Sequence, residues 1–256
     1  MKFYKFNEVE KRVDLFSERW YPIDGKWYKN VTTILGIIDK GYAFDEWLKS
    51  TGYNSEIIVD RAGKLGSGVH RLIERTLLDE TIKYYDLGLT EEIGIAYWER
   101  YLRWASFWKE YGEKIIYKKE AVEFICHSKK YEYAGTIDLL CNYDKELTIL
   151  DWKTGSNIYE EAYLQMSAYA KAIEEMFGTP VKKAIIVHLP FEKPNKKGYR
   201  LHEIGQEEIE LYFDKFLAAK KLHDWKNKKE IPKFLSYPLE LNLEEIINCE
   251  TIIKEM

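Results

Sequence analysis

The sequence predicts an α/β fold in which helices cover a mixed central β-sheet, with helical additions at both ends. Two observations carry this prediction. The apolar patterns run in the order helix, three strands, helix, strand, which is typical of a sheet that is packed on both faces. The strand segments are short and rich in β-branched residues, whereas the helical segments are longer and repeat their apolar residues at about every 3.6 positions.

The chain has 256 residues, of which 46% are hydrophobic and 32% are charged. This composition indicates a globular protein that can bury a sizeable core. The sequence has no apolar run approaching the roughly 18 residues that span a bilayer, and its first residues lack the apolar core of a signal peptide. We therefore expect a cytoplasmic protein without a membrane partner. We expect one domain with an N-terminal arm and helices (1–62), a core (63–190) and a C-terminal helical extension (191–256).

Charge and cysteine content exclude several function classes. The net charge of −4 argues against nucleic-acid binding through bulk charge, although it leaves room for a basic track beside an acidic site. Cys126, Cys141 and Cys249 are widely spaced and form neither a zinc nor an iron–sulfur ligand set, so no such cofactor is expected. The glycine-rich segment 63–68 lacks the GxxxxGK[ST] spacing of a phosphate-binding loop.

The most informative stretch runs from residue 135 to residue 155 and predicts a β-hairpin. Thr136–Tyr143 and Leu147–Lys153 are β-prone and flank a polar turn. Asp151 and Lys153 are two positions apart and therefore share one face of a strand, and an antiparallel partner can place Asp138 beside them. Buried charges must pair with each other or bind a metal. The hairpin alone leaves both explanations open.

Two further segments carry polar residues that can reach this hairpin. We expect a helix that is N-capped by Ser67 and continues through Leu78, with His70 and Glu74 on one face. That pair is either an ordinary surface pair or part of a metal site. We expect a strand over 114–127, interrupted by acidic residues of opposite parity, so that only one of them can face the site. These two residues are Glu120 and Glu123.

The remaining segments complete the predicted order of elements. Residues 90–112 predict an aromatic core helix, and residues 157–177 predict a helix that carries Gln165 and Tyr169 one turn apart. The other expected elements are an irregular or hairpin-forming arm (1–30), helical runs at 34–38 and 44–49, a buried strand (181–189), a basic loop (193–198), an amphipathic helix (206–229) and a tail from residue 239 that is a short helix or an ordered arm.

The chemistry follows from the ligand types. Carboxylates on adjacent strands are hard oxygen ligands, which suit Mg²⁺ or Mn²⁺ better than zinc. Such an ion can bind a phosphate oxygen and activate water, and a nearby lysine can hold or deprotonate the attacking water or offset developing negative charge. A lone D-x-K is unspecific. The combination is more specific: Gly135-x-x-Asp138, Asp151-x-Lys153-Thr154-Gly155, Gln165-x-x-x-Tyr169 and the upstream Gly66-Ser67-Gly68-Val69-His70.

At these motifs the sequence resembles the PD-(D/E)xK nuclease superfamily, and more narrowly the RecB-type exonuclease branch, which includes phage nucleases and mitochondrial genome maintenance exonuclease. The resemblance runs from about residue 31 to residue 189. It implies a restriction-endonuclease-like core in which the metal is held by His70, Asp138, Asp151 and the main-chain carbonyl of Trp152. It also implies that Lys153 is the catalytic lysine, that Gln165 and Tyr169 orient the DNA or the lysine, and that phosphates contact Ser67, Lys64, Arg71 and Thr154. The accessory candidates are Glu123, which fits the family glutamate by spacing, then Glu120 and Glu74.

The resemblance therefore implies a Mg²⁺- or Mn²⁺-dependent deoxyribonuclease, an exonuclease in preference to an endonuclease, that acts in replication, recombination or repair. The expected partner is DNA, with a helicase, recombinase or single-strand-binding protein as candidate protein partners, in a bacterial, archaeal or phage-infected cell. The alternative from another class is a non-catalytic DNA-binding subunit with an inherited nuclease fold. Such relatives usually lose the D-x-K residues, and here those residues are present.

Overall fold

The protein is described by a computed structural model. The described residues are 3–5, 12–15, 18–39, 41, 46, 49–52, 54–87, 91–190, 196–227, 235–238, 247 and 254–255. They form a nine-stranded mixed sheet with helices on both faces and a separate three-stranded sheet. The predicted α/β class with a mixed central sheet is confirmed. None of the helices in these ranges is both long and apolar enough to cross a membrane.

The N-terminal strands extend the central sheet. Strands β2 (Val13–Leu15), β3 (Glu18–Ile23) and β4 (Lys26–Asn30) are joined antiparallel, and β4 pairs in parallel with β7 (Tyr133–Tyr143). The arm that the sequence leaves irregular or hairpin-forming is therefore built into the sheet. The small sheet joins β1 (Phe3–Lys5) to β11 (Leu235–Pro238) and β12 (Lys254–Glu255).

The centre of the main sheet is the predicted hairpin. Strand β7 turns into β8 (Glu146–Lys153) through Asp144 and Lys145, whose φ angles of 48° and 71° are those of a two-residue type I′ turn. Strand β9 (Lys183–His188) runs parallel to β8, so the helix between them makes a βαβ unit.

Helices cover this sheet from both sides. One face packs on α1 (Val31–Leu35), α4 (Glu160–Phe177) and α5 (Gln206–Lys226), and the other on α2 (Asn54–Leu77) and α3 (Glu91–Tyr111). The alternation of β8 illustrates the division, because Ile149 lies in the first core and Leu150 and Trp152 lie in the second.

Several local predictions are wrong. The helix that was expected to begin at Ser67 begins at Asn54, so Ser67 lies inside α2 and caps nothing. The strand expected over 114–127 is divided into β5 (Ile115–Ile116) and β6 (Val122–Ser128) by a 3₁₀ turn at Lys119–Ala121. Strand β10 (Arg200–Gly205), which pairs with β9, was missed. The helical run at 44–49, the start of the loop at 193–198 and the tail from residue 239 lie largely outside the described residues.

Candidate active site

The hairpin charges meet at the end of the β7–β8 ladder. Backbone pairing is regular up to Leu139 opposite Leu150, and the Asp138 carboxylate then accepts the backbone N–H of Trp152 at 2.7 Å. The Lys153 Nζ lies 2.7 Å from Asp151 Oδ2. Both aspartates are buried, as expected for charges that are held by partners rather than by water. Asp138, Asp151 and Lys153 therefore lie together as the strand alternation predicts.

His70 joins this group from helix α2. Its Nδ1 lies 3.2 Å from Asp138 Oδ1, across 68 positions of sequence. Burial disfavours the charged imidazole, but the charge and hydrogen bond of Asp138 outweigh burial, so the pKa of His70 is raised to about 9. Burial likewise acts against ionised Asp138, yet His70 and Lys153 hold the pKa of this carboxyl below its usual value. His70 and Asp138 thus form an ion pair at neutral pH.

Glu123 completes a compact set of donors. The ligand atoms of His70, Glu123 and Asp138 all lie within 4.8 Å of one another. Glu123 has φ +51°, a left-handed conformation that is uncommon in a strand and marks local strain. Burial, and secondly the negative charge of Asp138, raises the pKa of Glu123 to about 8. A carboxyl that is kept protonated beside another carboxylate is suited to accept a cation in place of its proton.

Asp151 and Lys153 form the other half of the site. Burial and then Asp138 raise the pKa of Asp151, although Lys153 opposes this shift. Burial acts to lower the pKa of Lys153, but the two aspartates outweigh it and raise that pKa. The lysine is therefore an ammonium group at neutral pH. The donor set with Glu123 differs from the set implied by the resemblance, in which Asp151 takes that place.

Helix α4 holds the lysine from the other side. Lys153 Nζ donates to Gln165 Oε1 at 3.1 Å, and Gln165 Nε2 donates to the Tyr169 hydroxyl at 3.0 Å. Tyr169 packs on the backbone of β7 at Gly135, where an added Cβ would lie only 2.2 Å from Tyr169 Cε1. The glycine of the GxxD motif therefore makes room for the tyrosine of the QxxxY motif.

The group opens into a cleft of about 480 Å³. Ser67, Arg71, Glu74 and Thr154 line this cleft, together with Trp152. Two predicted residues do not line it. Lys64 lies in a neighbouring groove, and Glu120 is exposed on the short 3₁₀ turn before β6. Of the two glutamates, Glu123 lines the cleft, and the 3₁₀ turn rather than strand parity separates it from Glu120.

The N-terminal strands supply a side of the cleft that the sequence motifs miss. The Tyr21 hydroxyl forms a hydrogen bond of 2.8 Å with Thr136 Oγ1, and both residues face the cleft. The arm also contributes two cationic side chains, Arg12 and Arg19. The turn signal at Asp24-Gly25 indicates a hairpin here, but no local pattern indicates its pairing with β7. The cleft residues from the arm are Arg12, Arg19, Tyr21 and Asn30, and helix α1 adds Thr32.

The fold and the site define a class of α/β proteins that gather acidic side chains and a lysine at the end of a central β-hairpin. A family model described as the PD-(D/E)XK nuclease superfamily matches residues 48–236. The match spans more than half of the chain, and the protein belongs to the PD-(D/E)XK nuclease superfamily. The family prediction made from the motifs is confirmed.

Several solved structures are distantly similar to this chain, and two of them are exonucleases by name. A candidate exonuclease from Eubacterium rectale is 10% identical, covers 73% of this chain and 80% of its own, and has a TM-score of 0.41. An alkaline exonuclease from Laribacter hongkongensis is 13% identical, covers 79% of this chain and 92% of its own, and has a TM-score of 0.34. At these TM-scores the likenesses carry no argument about activity. No curated protein matches the chain.

Proposed function

We propose that the protein is a metal-dependent deoxyribonuclease of the RecB-type branch that hydrolyses phosphodiester bonds and acts as an exonuclease. The observation that carries this proposal is the convergence of His70, Glu123 and Asp138 from three separate elements, beside the ion pair of Asp151 and Lys153. The superfamily membership supports a nuclease, and the donor chemistry supports the metal. DNA as the substrate, the exonuclease mode and the ion are our proposals.

The donor set fits Mg²⁺ or Mn²⁺. It offers carboxylate oxygens and one imidazole, and these ions bind such ligands more readily than they bind thiolates. Glu123 and Asp138 would hold the ion with His70, and Asp151 with the carbonyl of Trp152 would complete the shell from the neighbouring strand. When bound, the ion supplies Lewis acidity toward a phosphate oxygen and lowers the pKa of a bound water.

Lys153 would stabilise charge rather than remove a proton. Its pKa is raised by the aspartates, so the ammonium form prevails at neutral pH. An ammonium group cannot act as a general base, but it can offset negative charge that develops on the phosphoryl oxygens. Gln165 would fix the direction of the ammonium group, because its Oε1 accepts from Lys153 while its Nε2 is anchored on Tyr169. Ser67, Arg71 and Thr154 would contact the flanking phosphates.

Two rival functions differ from this one. An endonuclease of the same superfamily would use the same residues on DNA without ends. A non-catalytic DNA-binding subunit would have no need of the ion pair of Asp151 with Lys153, because its buried carboxylate is costly to maintain. The intact pair therefore favours an enzyme. We further propose a cytoplasmic role in replication, recombination or repair, with a helicase, recombinase or single-strand-binding protein as a working partner.

The test is a cleavage assay on end-labelled single-stranded, duplex and circular DNA, with Mg²⁺, with Mn²⁺ and with a chelator. We expect metal-dependent cleavage of linear DNA and resistance of covalently closed circles. Cleavage of the circles would replace the exonuclease proposal with the endonuclease. Absence of metal-dependent cleavage on every substrate would refute the nuclease proposal.

A further inference from the structure

A second groove, of about 640 Å³, lies beside the catalytic cleft and shares three residues with it. The shared residues are Arg19, Ser67 and Arg71, so the two spaces meet along helix α2. Nothing in the proposed chemistry uses the remainder of this groove, which makes it a separate feature to explain.

Two adjacent faces of helix α2 line the cleft and the groove. Gly66, His70 and Glu74 recur every four positions and face the cleft. The next stripe around the helix carries Lys64 and Arg75, with Ser67 and Arg71 at the boundary, and this stripe lines the groove. From Lys64 to Arg75 the helix rises by about 16 Å. At the 3.4 Å rise of a stacked strand, this distance corresponds to at most about five nucleotides.

The groove is cationic. It is lined by Arg19, Lys64, Arg71 and Arg75, with Asp60 as its acidic side chain among the described residues. Three of these cations have an acidic neighbour: Lys64 Nζ lies 2.7 Å from Asp60, Arg75 Nε lies 2.6 Å from Glu80, and Arg19 Nε lies 4.0 Å from Asp14. All three pairs are solvent-accessible, and such pairs contribute little. Arg71 is exposed and forms no ion pair or hydrogen bond with any described residue. These cations are therefore available to an anionic ligand.

Tyr97 of α3 adds an aromatic surface to the groove. Its ring lies against the backbone of α2 at Gly68, where an added Cβ would be 1.7 Å from Tyr97 Cε1. Burial raises the pKa of Tyr97, and the charges of Lys64 and Arg71 oppose the shift, so the phenol lies within electrostatic range of both cations. A row of cations with an aromatic side chain among them is the combination that binds single-stranded nucleic acid.

We propose that this groove is a track for single-stranded DNA that continues from the catalytic cleft, with phosphates on Arg19, Arg71 and Arg75 and a base on Tyr97. The proposal rests on the proposed function and adds the strand state of the substrate. A strand that follows α2 would pass from Arg75 to the boundary residues Arg71 and Ser67 and reach the carboxylates beside His70. A rigid duplex would contact the exposed cations but would leave its bases stacked in the helix, away from Tyr97.

The test measures binding without cleavage. Fluorescein-labelled dT12 is titrated by fluorescence anisotropy in a chelator at several salt concentrations, with Arg75→Gln, Tyr97→Leu and two matched controls. Lys118→Gln removes one exposed charge that lies outside the cleft and the groove, and Tyr85→Leu removes an exposed tyrosine that also lies outside them. We expect Arg75→Gln to reduce the salt slope by about 0.7 and Tyr97→Leu to weaken dT12 binding at least about five-fold. We expect both controls to behave as wild type.

Two further measurements separate the explanations. An abasic 12-mer should lose the effect of Tyr97→Leu but keep that of Arg75→Gln. With Mg²⁺ present, both track variants should raise KM for dT12 cleavage and leave kcat unchanged, because they remove binding that is uniform along the reaction. If Arg75→Gln keeps the wild-type salt slope and Tyr97→Leu keeps the wild-type affinity for dT12, the proposed track is wrong. If a 12-bp duplex competes with dT12 as well as unlabelled dT12 does, and Tyr97→Leu does not change dT12 binding, the groove is not specific for single-stranded DNA. Absent cleavage with normal dT12 binding would refute only the nuclease proposal.

Discussion

Replacing Gly135 by alanine probes the site without replacing any of the residues that are proposed to act in it. The new Cβ would lie 2.2 Å from Tyr169 Cε1 and 2.9 Å from its Cζ. Ordinary contact begins near 3.4 Å, so the ring or the strand must move by about 1.2 Å. The obstacle is a buried aromatic ring rather than the end of a flexible chain, and it cannot turn away. Overpacking of this kind costs about 1–3 kcal/mol of stability.

The movement would reach the reacting centre through two hydrogen bonds. Tyr169 anchors Gln165, and Gln165 holds the Lys153 ammonium group. A misplacement of about 1 Å can lower a rate by about 10²-fold, even when the altered residue is outside the chemistry. We therefore expect Gly135→Ala to lower kcat for linear DNA by about that factor, with metal affinity close to wild type.

The assay pairs initial cleavage rates in Mg²⁺ with urea denaturation. Gly205→Ala is the matched control, because a Cβ there meets nothing within 4 Å and the residue lines neither the cleft nor the groove. It should keep wild-type cleavage and lose no more than about 1 kcal/mol of stability, because alanine is a poorer N-cap of helix α5 than glycine. A folded Gly135→Ala protein with a wild-type kcat would refute the transmission from Tyr169 to Lys153.

The other predictions concern charge. Lys153→Ala should lower kcat by about 10²–10³-fold while Mn²⁺ still binds by calorimetry; a wild-type kcat would remove the lysine from the mechanism. Asp138→Ala should abolish both cleavage and Mn²⁺ binding, and retention of either would contradict its role as a ligand. Because Glu123 and His70 have pKa values of about 8 and about 9, both are largely protonated at pH 7, so Mn²⁺ binding should release protons and strengthen as pH rises. Calorimetry in buffers of different ionisation enthalpy measures this release, which should fall in Glu123→Gln. In a chelator, the folded state binds these protons more tightly than the unfolded state, so stability should fall as pH rises from about 4.5 through 8 for Glu123 and from about 6.5 through 9 for His70. Urea denaturation at several pH values measures this fall in stability, and Glu123→Gln should remove the part assigned to Glu123. A stability that rises from pH 4.5 to pH 8 would contradict the raised pKa values of Glu123 and His70.

The hairpin and its charges could be predicted because their information is local. Strand alternation places Asp151 and Lys153 on one face, and a short polar turn places Asp138 opposite them. The start of α2 could not be predicted in the same way. Glycines at 66 and 68 indicate a loop, but in the structure they admit close neighbours, with Thr154 Oγ1 at 3.2 Å and Tyr97 Cε1 at 1.7 Å from the added Cβ positions. Glycine is found both where a neighbouring group packs closely on the backbone and where the chain forms a loop, so its presence in the sequence does not distinguish the two.

Two other features depend on information that is not local. The left-handed backbone at Glu123 has no sequence signal, since a glutamate in an apolar run predicts only regular alternation. The contributions of Arg19 and Tyr21 depend on the parallel pairing of β4 with β7, and a short parallel ladder leaves no periodicity that would reveal its partner. The central charges could therefore be placed from sequence, whereas one side of the cleft could not.

The pairing of β4 with β7 has a consequence for the order of folding. Lys29 pairs with Tyr133, 104 positions later in the chain, whereas the β7–β8 hairpin closes across a two-residue turn. Closing a long loop costs more entropy than closing a short one, and contacts of high sequence separation form slowly. The hairpin with Asp138 and Asp151 should thus form early, and Arg12, Arg19 and Tyr21 should join it late. A newly made chain would spend time with the aspartates of the hairpin in place and with Arg12, Arg19 and Tyr21 still absent from the cleft, so the contacts of the N-terminal strands with a polyanion should be acquired late.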